Sequence, residues 1–435
     1  MLHSGHPGNF LLSLILLTLT PGFPVDKTEQ AKQDPLPDPT THVGESLWSN
    51  VDGGWAHFQS VVKLHERWSD RTPADVATPP RSLTPKQDWR KQSISRCLAL
   101  YYPKHVDADV LRPWSVMHGL IAYGRDTPVL VRGRKVNAAD YLCANGIGDD
   151  RRILYVVNGK LGARTGRGVQ GHEGQLLAML AQAEVAADHS LTVDGHKLSV
   201  EDLIKYECRT CRAGTELTFK LIGLSYYLNT EATWKNDQGE IWSIGRLVEE
   251  ELKQPINGES CGGTHRLMGL SRAVHHRREQ GKSIDGHFLR AENFVRDYHD
   301  YALQMQNPDG SFSTSWLEKR ENDRDAKQKL YTTGHILEWL AFSLPAERLE
   351  EPGVTRAVDF LVNLMLNAPG HELDVGPKGH SLHALRLYEK RVFGESDFRK
   401  HAPAQAVAHR SRSRNDSPAS QNAARMRGRR VFGRR

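Results

Sequence analysis

The residues of this chain best suited to chemistry are histidines, and five of them recur in similar settings. His118, His172, His265, His335 and His380 each sit at or near the start of an apolar stretch rich in small residues. Glu173 directly follows His172, while Glu338 and His383 each lie three positions after a member of the set. The most distinctive run is Gly258-Glu-Ser-Cys261-Gly-Gly-Thr-His265-Arg. A thiolate and an imidazole four positions apart share one face of a continuous helix, a spacing that suits Zn²⁺. The paired glycines leave open whether Cys261 is on a helix or in the loop before it. His335 or His380 could complete a three-ligand site with one position free for water or substrate. The metal set is read as Cys261, His265 and His335.

Other chemistries compete for the same residues. A glycoside hydrolase needs two carboxylates about 5–10 Å apart, and Glu173 and Glu338 are the candidates. A polysaccharide lyase needs a base and a cation that neutralises a uronate, roles open to His172, His265, Tyr123 and Arg266. The catalytic set is therefore His172, Glu173, His265 and Glu338, with His118, Arg266, His380 and His383 as binding residues. A non-catalytic module would use the same ring only to hold a peptide or a glycan. In every case the expected ligand is a polar small molecule or glycan.

Two kinds of segment must position these residues. Residues 88–100, 137–145, 199–211, 241–253, 288–306 and 354–366 carry apolar side chains at three- and four-residue spacing, the mark of surface helices with one buried stripe. Between them lie six stretches that are apolar nearly throughout, starting near Trp114, Gly171, Glu216, Gly263, Gly334 and Gly379. Equivalent positions recur every 45 to 70 residues, a spacing of helical hairpins that need their neighbours to bury an inner helix. The expected fold is mainly α: an α/α toroid of about six hairpins, with minor β structure at 129–131 and 153–157. Inner helices running parallel would bring their N-termini, and the five histidines, to one mouth. Positive helix ends there favour an anion and lower imidazole pKa values.

The alternation, with Gln304-Met-Gln306-Asn-Pro-Asp309-Gly310-Ser-Phe312 closing an outer helix, resembles the terpenoid-cyclase/prenyltransferase type of α/α toroid. In that superfamily a Q…DGSF/W segment commonly ends the outer helix of a repeat. The Asp-Gly pair makes a turn and the aromatic packs back between hairpins. The resemblance covers roughly residues 85–395 and concerns architecture. Acid-initiated terpene cyclisation uses a DxDD motif, which this chain lacks. Zinc-dependent members of this kind use Asp, Cys and His, or two Cys and a His. The chain has neither the Asp-x-Cys pairing nor the Cys-His-Gly motif, so their activities do not carry over.

Composition frames this domain. The chain has 435 residues, 38% apolar and 25% charged, and a net charge of +6. That length and composition exclude a small disulfide scaffold and a polytopic membrane protein. The basic balance comes from the end of the chain, since 399–435 holds 11 Lys/Arg against Asp416 alone and the rest is slightly acidic. The segment 396–435 reads as a disordered basic tail able to touch anionic surfaces, without a nucleic-acid motif. At the other end, the apolar run 10–19 is too short to span a bilayer, which takes about 20 apolar residues. It fits a signal peptide over 1–24, followed by a polar Pro-rich segment over 25–84. Export to the periplasm or the outside is expected, or otherwise an N-terminal anchor. Cys208 and Cys211 form a lone CxxC with no second pair, read as a local disulfide or two buried thiols.

Overall fold

Polar caps set the helix starts. Thr84 and Gln87 form a reciprocal capping box, and Pro85 opens the first helix, α1 (Pro85–Tyr101). Eleven further helices follow among the described residues: α2 (Pro113–Tyr123), α3 (Ala138–Cys143), α4 (Gln175–Gln182), α5 (Val200–Arg209), α6 (Thr218–Tyr227), α7 (Ile244–Leu252), α8 (Thr264–Glu279), α9 (Gly286–Gln304), α10 (Ala326–Ser343), α11 (Pro352–Asn367) and α12 (Val375–Phe393). The computed structural model describes residues 82–102, 106–368, 373–395 and 398–401. All of them belong to the second of two units of the chain, 52–435. The expected signal peptide, nearly all of the Pro-rich segment and nearly all of the basic tail lie outside the described residues.

The fold is mainly α, and its helices alternate in character. Odd-numbered α9 buries Phe288, Ala291, Val295, His299 and Ala302, a single stripe at helical spacing. Even-numbered α4 buries every residue from Gln175 to Ala181, and α10 buries 332–341 without a break. The even helices contact one another in a closed circuit: α2 packs on α4, α4 on α6, α6 on α8, α8 on α10, α10 on α12, and α12 on α2. The odd helices lie against this circuit, α3 on α2, α5 and α7 on α6, α9 on α8, α11 on α10, and α1 on α12. Close approach of α12 to α2 requires Gly379, because a methyl group there would overlap the His118 carbonyl. The Gln304–Phe312 segment turns as its composition implies. Gln306 donates to the Gly310 carbonyl at 3.0 Å and to that of Gly353 at 2.7 Å, and Phe312 is completely buried.

The β structure exceeds the two short runs expected. Strands β1 (Val106–Asp107), β2 (Pro128–Val131) and β3 (Arg134–Asn137) form one small sheet. Three separate hairpins pair β4 (Leu154–Val157) with β5 (Lys160–Ala163), β6 (Ser190–Val193) with β7 (His196–Ser199), and β8 (Thr233–Lys235) with β9 (Ile241–Ser243). The turns Arg132-Gly133, Asn158-Gly159 and Asp194-Gly195 have positive φ at both residues, as two-residue hairpins of this twist require. Strands β3, β7 and β9 each run straight into an odd-numbered helix through Asn137, Ser199 or Ser243, whose side chains cap α3, α5 and α7. Among the described residues no helix is long and apolar enough to cross a membrane.

Candidate functional site

The loop before α8 is the most strained stretch near the histidines. Cys261, Gly262 and Gly263 all have left-handed φ values, 52°, 60° and 73°, and only the last two are glycine. Holding a non-glycine residue there costs on the order of 1–2 kcal/mol, and such strain clusters at functional sites. Trp316, itself at φ 57°, lies over this loop, and a methyl group on Gly262 would overlap its ring. Cys261 is thus outside α8, which begins at Thr264. Of the two placements left open for Cys261, the loop holds, and it brings the thiol back beside His265.

The third member comes from α10. This helix starts at Ala326, so His335 is in its middle, a correction to its expected place near a helix start. Tyr331 and His335 are one turn apart and lie on the same face. His335 Nδ1–H donates to the Tyr331 carbonyl at 2.8 Å, which leaves Nε2 with a free lone pair. The Tyr331 hydroxyl reaches Cys261 Sγ at 3.2 Å. Ligand atoms of Cys261, His265 and His335 all lie within 4.8 Å of one another. Tetrahedral zinc holds such atoms about 3.3–3.8 Å apart, so the group closes on an ion with small side-chain movements. Among the described residues no fourth Cys, His, Asp or Glu joins the group. Nor does a hydrogen bond from any described residue reach either ring nitrogen of His265.

The other histidines gather around this trio. The His380 ring lies 3.8 Å from that of His335, 5.2 Å from His265 and 5.2 Å from His118. Trp114 packs on His118 at 3.9 Å, and His118 Nδ1–H donates to the Trp114 carbonyl. Glu338 is buried between two imidazoles: His380 Nδ1–H donates to one oxygen at 2.8 Å and His383 Nδ1–H to the other at 2.6 Å. His172 precedes α4 and is one ring removed, stacked on Phe219 at 4.7 Å, with Phe219 at 5.0 Å from His265. Its Nδ1–H donates to Glu216 at 2.8 Å.

Burial dominates the electrostatics. It holds His265 and His335 well below the usual imidazole range and brings His118 down to about 3, with His380 adding to each shift. Burial lowers His383 too, against the pull of Glu338. The same burial would raise Glu338, but His380 and His383 outweigh it and keep the carboxyl well below its usual range. Burial pushes the Cys261 thiol up to about 11, against the hydrogen bond with Tyr331. Neutral imidazoles with tied Nδ1 atoms are the form in which histidine binds metals.

Several sequence candidates fall elsewhere. Glu173 is exposed, 3.6 Å from Lys220 Nζ, while both Glu338 oxygens accept imidazole N–H groups, so the two do not present a pair of free carboxyls. Arg266 is turned away from the histidines. Its Nε donates to Glu251 of α7 at 3.0 Å, and its other nitrogens reach the Pro255 carbonyl and Glu259. The Tyr123 hydroxyl is committed to the Leu98 carbonyl at 3.0 Å. Cys208 and Cys211 are buried free thiols, which removes the disulfide alternative. Sequence reasoning missed Tyr331, Trp316 and Glu216. The spacing of Tyr331 from His335 signalled the first, whereas the other two depend on loop contacts. No family model, curated protein or solved structure matches the chain.

Proposed function

We propose that the closed circuit of inner helices is an α/α toroid and that the chain is a metal-dependent enzyme of this architecture. Cys261, His265 and His335 would hold a single Zn²⁺-type ion in a pocket at the histidine-lined mouth. The observation that carries the reading is the convergence of these three ligand atoms with no fourth among the described residues. Structural zinc sites close with four protein ligands, whereas catalytic sites keep a position for water or substrate. The ion would supply Lewis acidity and a strong nucleophile at neutral pH. The chain's own residues supply the rest. Tyr331 fixes the thiol, the Tyr331 carbonyl fixes the His335 tautomer, and Glu338 with His380 and His383 locks the rings behind the ligands.

This reading is favoured over a polysaccharide lyase or hydrolase acting through His172, Glu173, His265 and Glu338. Glu338 is occupied by two imidazoles and Arg266 by Glu251, so neither is free for a sugar or a uronate. The substrate remains a polar molecule, and the apolar run 10–19 supports export of the domain. A non-catalytic binding module is the second reading, since the same mouth could hold a peptide or glycan. Elemental analysis of the purified full chain should find one zinc-type ion per molecule. A folded wild-type protein that carries none and takes none up ends the proposal. Bound metal without turnover on any polar substrate class favours the binding module.

A further inference from the structure

We infer that the ligand entering the free position of this centre carries a positive charge, which makes an amine-bearing compound the substrate class. The inference rests on the metal-centre reading. Its basis is how charge is distributed around the three ligands. Two buried cations on the helices beside the site, Lys220 and Arg266, each have a buried carboxylate of their own. Lys220 Nζ donates to Glu207 at 2.7 Å and to Thr210 at 2.6 Å, both charged side chains being 1% exposed. Arg266 donates to Glu251, with side chains 3% and 0% exposed. Neither can turn toward an anionic ligand without leaving an unpaired buried carboxylate, which is strongly unfavourable.

The carboxylates beside the site are placed differently. Glu216 accepts from His172 and remains partly open to solvent, and its charge is felt at Cys261. Glu173, next to His172, is exposed and only 3.6 Å from a lysine already paired with Glu207. Two more carboxylates belong to the Cys261 loop or reach it, Glu259 and Glu318. Glu259 shares Arg266 with Glu251, and Glu318 accepts from the Gly258 N–H at 3.2 Å. Aromatic rings border the ligands, Phe219 at 5.0 Å from His265, and Trp316 and Tyr331 at 5.6 and 4.9 Å from His335. Aromatic faces attract cations through the ring quadrupole and give anions no comparable contact. A ligand approaching the ion therefore meets carboxylates and π faces, while Arg272, a buried guanidinium without a carboxylate partner among the described residues, lies about two turns farther along α8 from His265, over the Phe342 ring and donating to Gln182. A cationic groove is found at the start of α2, lined by Arg112, Arg167 and Trp114, in which Arg112 is held by Asp149 at 2.7 Å.

Thiols of opposite charge test this on the full chain loaded with Co²⁺. Cysteamine and mercaptoacetate present the same metal-binding sulfur with an ammonium or a carboxylate beside it. The thiolate-to-cobalt absorption band reads the binding of each. At low ionic strength cysteamine should bind at least about tenfold more tightly per thiolate, and the ratio should shrink in about 0.5 M salt. Glu216→Gln should cut the ratio about threefold, a comparison in which the differing acidities of the two thiols cancel. Equal or tighter binding of mercaptoacetate overturns the inference and assigns the approach to the Arg167 groove. A ratio unmoved by both Glu216→Gln and Glu173→Gln also overturns it. A full chain that binds no Co²⁺ shows this before any thiol is added, and then the metal centre fails along with the inference.

Discussion

Cys208 and Cys211 stand at the end of α5 with the spacing of a redox or zinc pair, while Cys261 stands alone before α8. Their surroundings reverse the expectation that spacing creates. Cys208 and Cys211 are buried free thiols; Cys211 Sγ donates to the Glu207 carbonyl, and burial raises Cys211 to about 12. Trp234 and Asn236 donate to the carbonyls of these two residues, so the segment anchors the β8–β9 hairpin. The nearby charge, Lys220, is spent on Glu207. Cys261 is half-buried, held in a strained turn, and faced by imidazoles from α8 and α10. On the proposed reading, a thiol gains chemistry here from lone pairs on other elements and from access to solvent.

Substitutions can sharpen this contrast. The largest expected effect is on metal: Cys261→Ala or His335→Ala should weaken Co²⁺ binding at least about a hundredfold, while Cys208→Ala leaves it unchanged. Titration with a competing chelator reads both. Next is stability around the paired region. Lys220→Met strands Glu207 in the interior and should cost about 3–5 kcal/mol in urea unfolding, with metal stoichiometry retained. If Lys220→Met were neutral, the pair would not be the anchor described.

A third prediction uses a buried imidazole that has no part in the metal group. His299 donates through Nε2 to Ser343 at 2.7 Å, and burial lowers it to about 4, with Arg348 adding to the shift. Its folded pKa is below the unfolded value, so the unfolded chain binds the extra proton first as pH falls. The stabilisation is complete above pH 6.5 and is lost as pH drops from 6.5 toward 4, amounting to about 3 kcal/mol at the lower end. His299→Leu should flatten that part of the pH–stability curve, and an unchanged slope contradicts the assignment. The smallest effect belongs to the turn itself. Gly262→Ala must push Trp316 aside and should cost about 1–3 kcal/mol, with roughly tenfold weaker metal binding.

Much of the helical plan was legible because burial leaves a periodic trace. The α9 stripe from Phe288 to Ala302 is visible in the sequence, as is the unbroken apolar character of α4. Strands β2 and β4 fall on the short runs expected at 129–131 and 153–157, whereas the β6–β7 and β8–β9 hairpins were missed although Asp194-Gly195 marks a turn, because strands of three or four residues barely register beside helical periodicity. The start of α10 was missed because its first turns are polar and exposed, even though Asp325 caps it. Arg266 was grouped with His265 as a neighbour in sequence, but successive residues on a helix point about 100° apart. The grouping of Cys261, His265 and His335 was legible, whereas the left-handed turn that achieves it was not.

Cys261, His265 and His335 are proposed to form one open metal centre. Its most direct test is the absorption spectrum of the full chain titrated with Co²⁺. The expected result is a single equivalent, the intense d–d bands of a tetrahedral ion, and a thiolate charge-transfer band that vanishes in Cys261→Ala and persists in Cys208→Ala. A folded chain whose spectrum stays that of free hexaaqua cobalt, or a thiolate band that depends on Cys208, would contradict it.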